Sequence, residues 1–221
     1  MVPGTALSVR YPPANIGARS CTMLWNNPSG TYPIRYYRVR YSSDGNTWFI
    51  LPQLIPPTPT NIILRGFQPN TRYFLQVIST NDYNNGFWSS STQLQTLPAW
   101  PSQAPSNVLA QVDNSTSILV TWNSITTSNF NGVPLGYHIR YRIADTTSVY
   151  TVLQSANTTA FSYTIRDLFQ YTTYAISVAA YNNNGTGPYS NEVTIQTQAS
   201  GKIFDHLDMF EFGYCFCQII L

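Results

Sequence analysis

The chain predicts an all-β protein made of two tandem β-sandwiches, and three observations carry that prediction. First, one residue pattern occurs twice. Trp25, Tyr37-Arg38-Val39-Arg40-Tyr41 and Thr71-Arg72-Tyr73 return as Trp122, Tyr137-His138-Ile139-Arg140-Tyr141 and Thr172-Thr173-Tyr174, at offsets of 97, 100 and 101 residues. A period this long exceeds solenoid repeats and matches a whole small domain. Second, apolar residues alternate with polar ones at period two, and neither repeat sustains a helical period. Third, turn signals cut each repeat into about seven short strands, the layout of a Greek-key sandwich.

In the first repeat, Cys21, Met23 and Trp25 form an inward row. Pro52, Pro56, Pro57 and Pro59 predict an extended edge segment, because proline cannot donate to a ladder. Tyr73, Leu75 and Val77 point inward, which turns Arg72, Phe74, Gln76 and Ile78 outward. The prolines of Leu97-Pro98-Ala99-Trp100-Pro101 stop the outgoing strand and stiffen the link. These signals place domain 1 at residues 1–98, a Pro-rich linker at 99–104 and domain 2 at 105–198.

The second repeat is more regular. Ile118, Val120 and Trp122 face inward, then Tyr137, Ile139 and Tyr141 with His138, Arg140 and Arg142 outward. Tyr174, Ile176, Val178 and Ala180 form the next inward row. Asn182 through Pro188 make a turn, followed by a last strand at Glu192–Thr197.

Composition narrows the function. Charged residues are 9% of the 221, against roughly 25% in an average soluble domain. Hydroxyl and amide side chains fill the gap, as suits an extracellular β-protein. A net charge of +2 is too small to point to nucleic acid. Of three cysteines, at most one lies in either repeat, so disulfides do not hold the modules together. With no secretory leader after Met1 and no stretch of ~20 apolar residues to span a bilayer, the expectation is a piece of a longer protein. Membrane attachment would come through its missing parts.

The pattern resembles the fibronectin type III module, an immunoglobulin-like sandwich of seven strands. The resemblance rests on Trp25 and Trp122, the Tyr-x-[Val/Ile]-x-Tyr strands, the corners Phe67-Gln68-Pro69-Asn70-Thr71-Arg72-Tyr73 and Leu168-Phe169-Gln170-Tyr171-Thr172-Thr173-Tyr174, and Gly185-x-Gly187-Pro188-x-Ser190. It spans residues 5–98 and 101–198. Three departures stand out: Gln170 in place of the corner proline, Phe67 in place of the corner leucine, and Gly86-Phe87-Trp88-Ser89 in place of the Gly-x-Gly-Pro turn. The resemblance implies that Tyr73 and Tyr174 bond back to the chain and that Trp25 and Trp122 plug the cores.

The sequence contains neither a nucleophile elbow nor a phosphate loop, and its histidines are His138 and His206. The expectation is no enzyme, cofactor or resident metal. Cys21 lies in an inward row, where a free cysteine behaves as a small hydrophobe. The candidate protein-binding face is on domain 1, where Arg38, Arg40, Arg72, Phe74 and Ile78 share the outward side. Arginine and aromatic residues are favoured at interfaces. The competing reading is a solvated face on which arginine stems cover an apolar ring. Domain 2 has the small residues Ala175, Ser177 and Ala179 at the matching places, so such a patch would belong to domain 1 alone. Phe87-Trp88-Ser89 faintly resembles the Trp-Ser-x-Trp-Ser box of cytokine receptors, without its second Trp.

Glycosylation triplets begin at Asn114, Asn157 and Asn184. Strand order puts Asn157 and Asn184 at the pole facing domain 1, where sugars would restrict bending of the joint. After Gln198 the character changes to an apolar, irregular tail at 199–221, expected to lie outside any domain. Its codons can be written as translated intron. His206, Asp208, Cys215 and Cys217 fit no common zinc spacing.

The sequence thus reads as non-catalytic spacer and recognition modules of a cell-surface adhesion or signalling receptor, contacting a protein ligand or a second copy. Two alternatives stay open: a cytokine-type receptor pair binding at its elbow, and passive linker domains of an extracellular enzyme.

Overall fold

A computed structural model describes residues 3–5, 7–28, 33–145, 147–155 and 158–200. Expectations placed on Asn157 and on the tail from residue 201 onward fall outside these. The described residues form strands and two short 3-10 turns, Pro13–Asn15 and Thr127–Phe130.

Domain 1 contains β1 (Leu7–Arg10), β2 (Ser20–Asn26), β3 (Tyr36–Ser42), β4 (Phe49–Ile50), β5 (Asn61–Arg65), β6 (Arg72–Thr80) and β7 (Thr92–Gln95). They pair as a three-stranded sheet β1-β2-β5 and a four-stranded sheet β4-β3-β6-β7. The period-two pattern sets the register: Cys21, Met23 and Trp25 on β2 meet Val39 on β3 and Tyr73, Leu75 and Val77 on β6 in one core. The proline-rich stretch is irregular after β4, touching the sheet again where Tyr37 bridges Ile55.

Domain 2 repeats the plan with β8 (Ser106–Asn114), β9 (Ser117–Asn123), β10 (Pro134–Ile143), β11 (Thr151–Ser155), β12 (Ser162–Ile165), β13 (Thr173–Asn182), β14 (Gly185–Thr186) and β15 (Val193–Gln196). One sheet is β12-β9-β8; the other runs β11-β10-β13, with β14 and β15 both paired to β13. The two-residue β14 is an addition made by the Asn183-Asn184 turn after β13. Trp122 packs with Ile118, Val120, Tyr137, Ile139 and Tyr174 in a second, separate core.

The linker is tied to both modules. The amide of Asn70 donates to the Leu97 carbonyl (3.0 Å) and that of Leu97 to Gly17 (3.2 Å), holding Leu97 on domain 1. Ala99 N–H already donates to Asn131 of domain 2 (2.9 Å). Asn182 Nδ2 donates to the carbonyls of Ala99 and Phe130, both at 2.7 Å, and Asn131 Nδ2 donates to that of Trp100 at 3.0 Å. Asn131 sits at φ 54°, a left-handed conformation that asparagine tolerates. Gly187 admits the linker closely: a Cβ there would stand 2.8 Å from Pro101.

Candidate functional site: the outward face of the β4-β3-β6-β7 sheet

Register on this sheet pairs Arg38 with Ile78, Arg40 with Gln76 and Ser42 with Phe74. Arg38 and Phe74 are half-buried, and Arg72 is exposed at the start of β6, opposite Gln95. The turn after β3 lies over Phe74, since a Cβ on Gly45 would meet its ring at 3.5 Å. Ile78 is a correction to the expected face: it is 7% exposed. Arg38 flanks it in register on one side. On the other side the chain returns alongside β6, with Gly86 N–H donating to Ser79 (2.8 Å) and Ser89 N–H to Val77 (2.9 Å).

Arg40 is held in a clamp. Its guanidinium carbon lies 4.4 Å from the Trp48 ring centroid and 4.3 Å from that of Trp88. Its Nε and a terminal nitrogen donate to Gln76 Oε1 at 2.8 and 2.6 Å. Burial lowers its pKa from the ordinary value, yet an arginine remains a cation at neutral pH. Domain 2 has the same device. Arg140 sits 4.2 Å from the Tyr150 ring and 3.9 Å from Tyr189, and donates to Ser177 Oγ at 2.7 Å. On β13, Ala175, Ser177 and Ala179 are buried, with Arg142, Arg140 and His138 opposite them in register.

The Trp88-Ser89 pair belongs to this scaffold. Ser89 Oγ accepts from Val77 N–H at 3.1 Å, and Ser190, beside Tyr189, accepts from Val178 N–H at 3.1 Å. None of the four clamping aromatics was singled out for this role from sequence. The signal lay in the repeat: Trp48 with Tyr150 and Trp88 with Tyr189, offset by 102 and 101.

The charges are unevenly divided. Residues 1–98 hold seven arginines and two aspartates, while residues 99–198 hold three arginines and four acids. A net charge of +2 hides a basic first module. One of its aspartates, Asp82, pairs with Arg35 at 3.2 Å. The other, Asp44, takes hydrogen bonds from the Ser42 hydroxyl and the amides of Thr47 and Asn46, which hold its carboxyl well below the usual range. Among the described residues, Arg38 and Arg72 have no acidic partner.

The remaining sequence candidates sit as follows. Trp25 and Trp122 are 1% and 4% exposed and contact Tyr37 and Tyr137, with ring centroids 5.3 Å apart in both cases. Tyr73 Oη accepts from Gln68 N–H at 2.9 Å, and Tyr174 Oη from Phe169 N–H at 2.8 Å. The Cys21 thiol is pushed up to about 12 by burial. Asn114 and Asn184 are exposed. Asn114 Oδ1 accepts from Thr116 N–H and Oγ1 (2.8 and 3.1 Å). His138 stacks on Tyr181 at 4.3 Å and bonds Thr186 at 2.9 Å.

Two sandwiches in series, each with a tyrosine-corner hydrogen bond, define a tandem pair of immunoglobulin-like modules. The fibronectin type III domain profile matches residues 9–95 and again 103–196. The chain belongs to the fibronectin type III family. Protein sidekick-2 of Mus musculus is 31% identical over 183 residues, covering 82% of this chain and 8% of its own length. Protein sidekick-1 of Gallus gallus is 32% identical over 182 residues, covering 81% of this chain and 8% of itself. Neogenin of Mus musculus is 31% identical over 197 residues, 89% of this chain and 13% of itself. The chain therefore spans a small part of each relative. Among solved structures, the FN1–FN3 domains of chicken CNTN1 superpose with a TM-score of 0.65 at 21% identity, covering 89% of this chain and 67% of that one. That likeness establishes the fold.

Proposed function

We propose that the chain acts as two non-catalytic extracellular modules, 1–98 and 105–198 joined by 99–104, which set spacing and make protein contacts. The contact surface is the basic sheet face of domain 1, formed by Arg38, Arg72 and Phe74, with Arg40 as its clamped support. The observation that carries this reading is the excess of arginine over acid in domain 1, with Arg38 and Arg72 on one face and lacking an acidic partner among the described residues. Like charge disfavours docking two copies of this face, so the partner is a protein surface rich in Asp and Glu. Complementary charge of this kind raises association rates and makes them sensitive to salt. Asn114, Asn157 and Asn184 carry sugars in this reading, and neither metal nor cofactor takes part.

The test is saturable binding of tetramerised full chain to cultured cells. Binding should fall at least tenfold in an Arg38→Ser/Arg72→Ser/Phe74→Ser variant with unchanged melting temperature. It should vanish after protease treatment of the cells and survive removal of heparan sulfate. Equal binding by the triple variant would remove this face from consideration. No saturable binding on any cell type would leave the pair as a passive spacer.

A further inference from the structure

We propose that the N-linked glycan on Asn184 packs its first N-acetylglucosamine on the indole of Trp100 and so covers the linker between the modules. This rests on Asn184 being a glycosylation acceptor. Trp100 is 65% exposed although hydrogen bonds hold the linker backbone around it. Its carbonyl accepts from Asn131, its neighbour Ala99 is held by Asn182, and Pro101 abuts Gly187. Its backbone is therefore fixed while its ring faces solvent.

The hairpin β13–β14 brings a sugar acceptor beside that ring. Asn182 pairs with Gly185, and Asn184 N–H donates to Asn182 Oδ1 at 2.8 Å, which presents the exposed Asn184 at the hairpin tip. A Cβ placed on Gly185 would lie 3.9 Å from Cβ of Trp100, with nothing else within 4 Å. Gly185, the residue after the acceptor, thus lies against Cβ of Trp100, which puts Asn184 one residue away from that contact. The C–H-rich face of a pyranose suits the negative face of an aromatic ring. The occupant needs no second protein, because Asn184-Gly185-Thr186 supplies its attachment point.

The covalent step uses a polyprenyl-diphosphate-linked oligosaccharide of the secretory route. Asn184 Nδ2 forms a bond to the sugar C1, the C1–O bond to diphosphate breaks, and the amide proton leaves with the polyprenyl diphosphate. Asn114 provides an internal reference at the opposite end of domain 2.

The experiment expresses the full chain behind a secretory leader in glycosylating cells, with the N-acetyl methyl groups carbon-13 labelled. Mass spectrometry first reads occupancy at each site. The acetyl methyl on Asn184 should resonate upfield of that on Asn114, because it lies over an indole. That shift should collapse onto the Asn114 value in both Trp100→Ala and Trp100→Leu. An occupied Asn184 whose methyl matches Asn114, or keeps its shift in both variants, overturns the packing. An unmodified Asn184 overturns the acceptor reading beneath it.

Discussion

At the scale of single residues, the repeat gives paired positions whose effects should fall on one module at a time. Trp25 and Trp122 belong to separate cores. Trp25→Ala and Trp122→Ala should each cost about 3–5 kcal/mol, and calorimetry should show one lowered transition beside one unchanged. A single transition that drops whole would mean the modules fold as one unit. His138 adds a pH effect. Burial against Tyr181 depresses its pKa below the ordinary value, so below about 6.5 the unfolded chain binds the proton more readily. Stability from this residue is present above that pH and is lost as pH falls. Urea midpoints should show domain 2 weakening between pH 7 and pH 5, with much of that slope absent in His138→Gln. These single-residue roles were largely legible, because a strand's alternation states which side chains face in. Ile78 was misread because alternation gives the direction of a side chain and says nothing of a neighbouring segment laid over it.

At the scale of elements, the clamps show what local pattern could not reach. Arg40 and Gln76 are legible as outward strand residues, but Trp48 and Trp88 arrive from irregular segments outside the strands, with no period linking them to Arg40. Only the joint recurrence of all the members in both repeats encoded the device. Its planar stacking makes Arg40→Lys a poor replacement, since an ammonium cannot lie flat between two rings and bond Gln76 through a fork. The substitution should cost domain 1 roughly 1–2 kcal/mol. A double-mutant cycle with Trp88→Ala should then give a coupling energy on the order of 1 kcal/mol. Additive effects would show that the ladder is surface decoration. Loss of Arg40 would disturb the sheet as well as any binding, so only Arg38, Arg72 and Phe74 separate the two effects.

At the scale of the whole molecule, the linker decides how the two modules are held. Leu97 is hydrogen bonded to domain 1 and Ala99 to domain 2, which leaves Pro98 between the two anchors. Proline fixes its own φ and supplies no amide donor, so the joint has little freedom left. The prolines made a stiff link legible in the sequence. The asparagines that fasten it were not, because Asn131 and Asn182 lie 31 and 83 residues from their linker partners. Asn182→Ala removes three bonds at once and strands the carbonyls of Ala99 and Phe130 and the amide of Asn184, at a cost of about 1–3 kcal/mol. The structural consequence is more telling than the stability loss. Spin labels on Gln93 and Thr151, one in each module, should report a narrow distance distribution in the native chain and a broad one in Asn182→Ala. A broad distribution in the native chain would mean that a hinge, rather than a set angle, separates the basic face of domain 1 from domain 2.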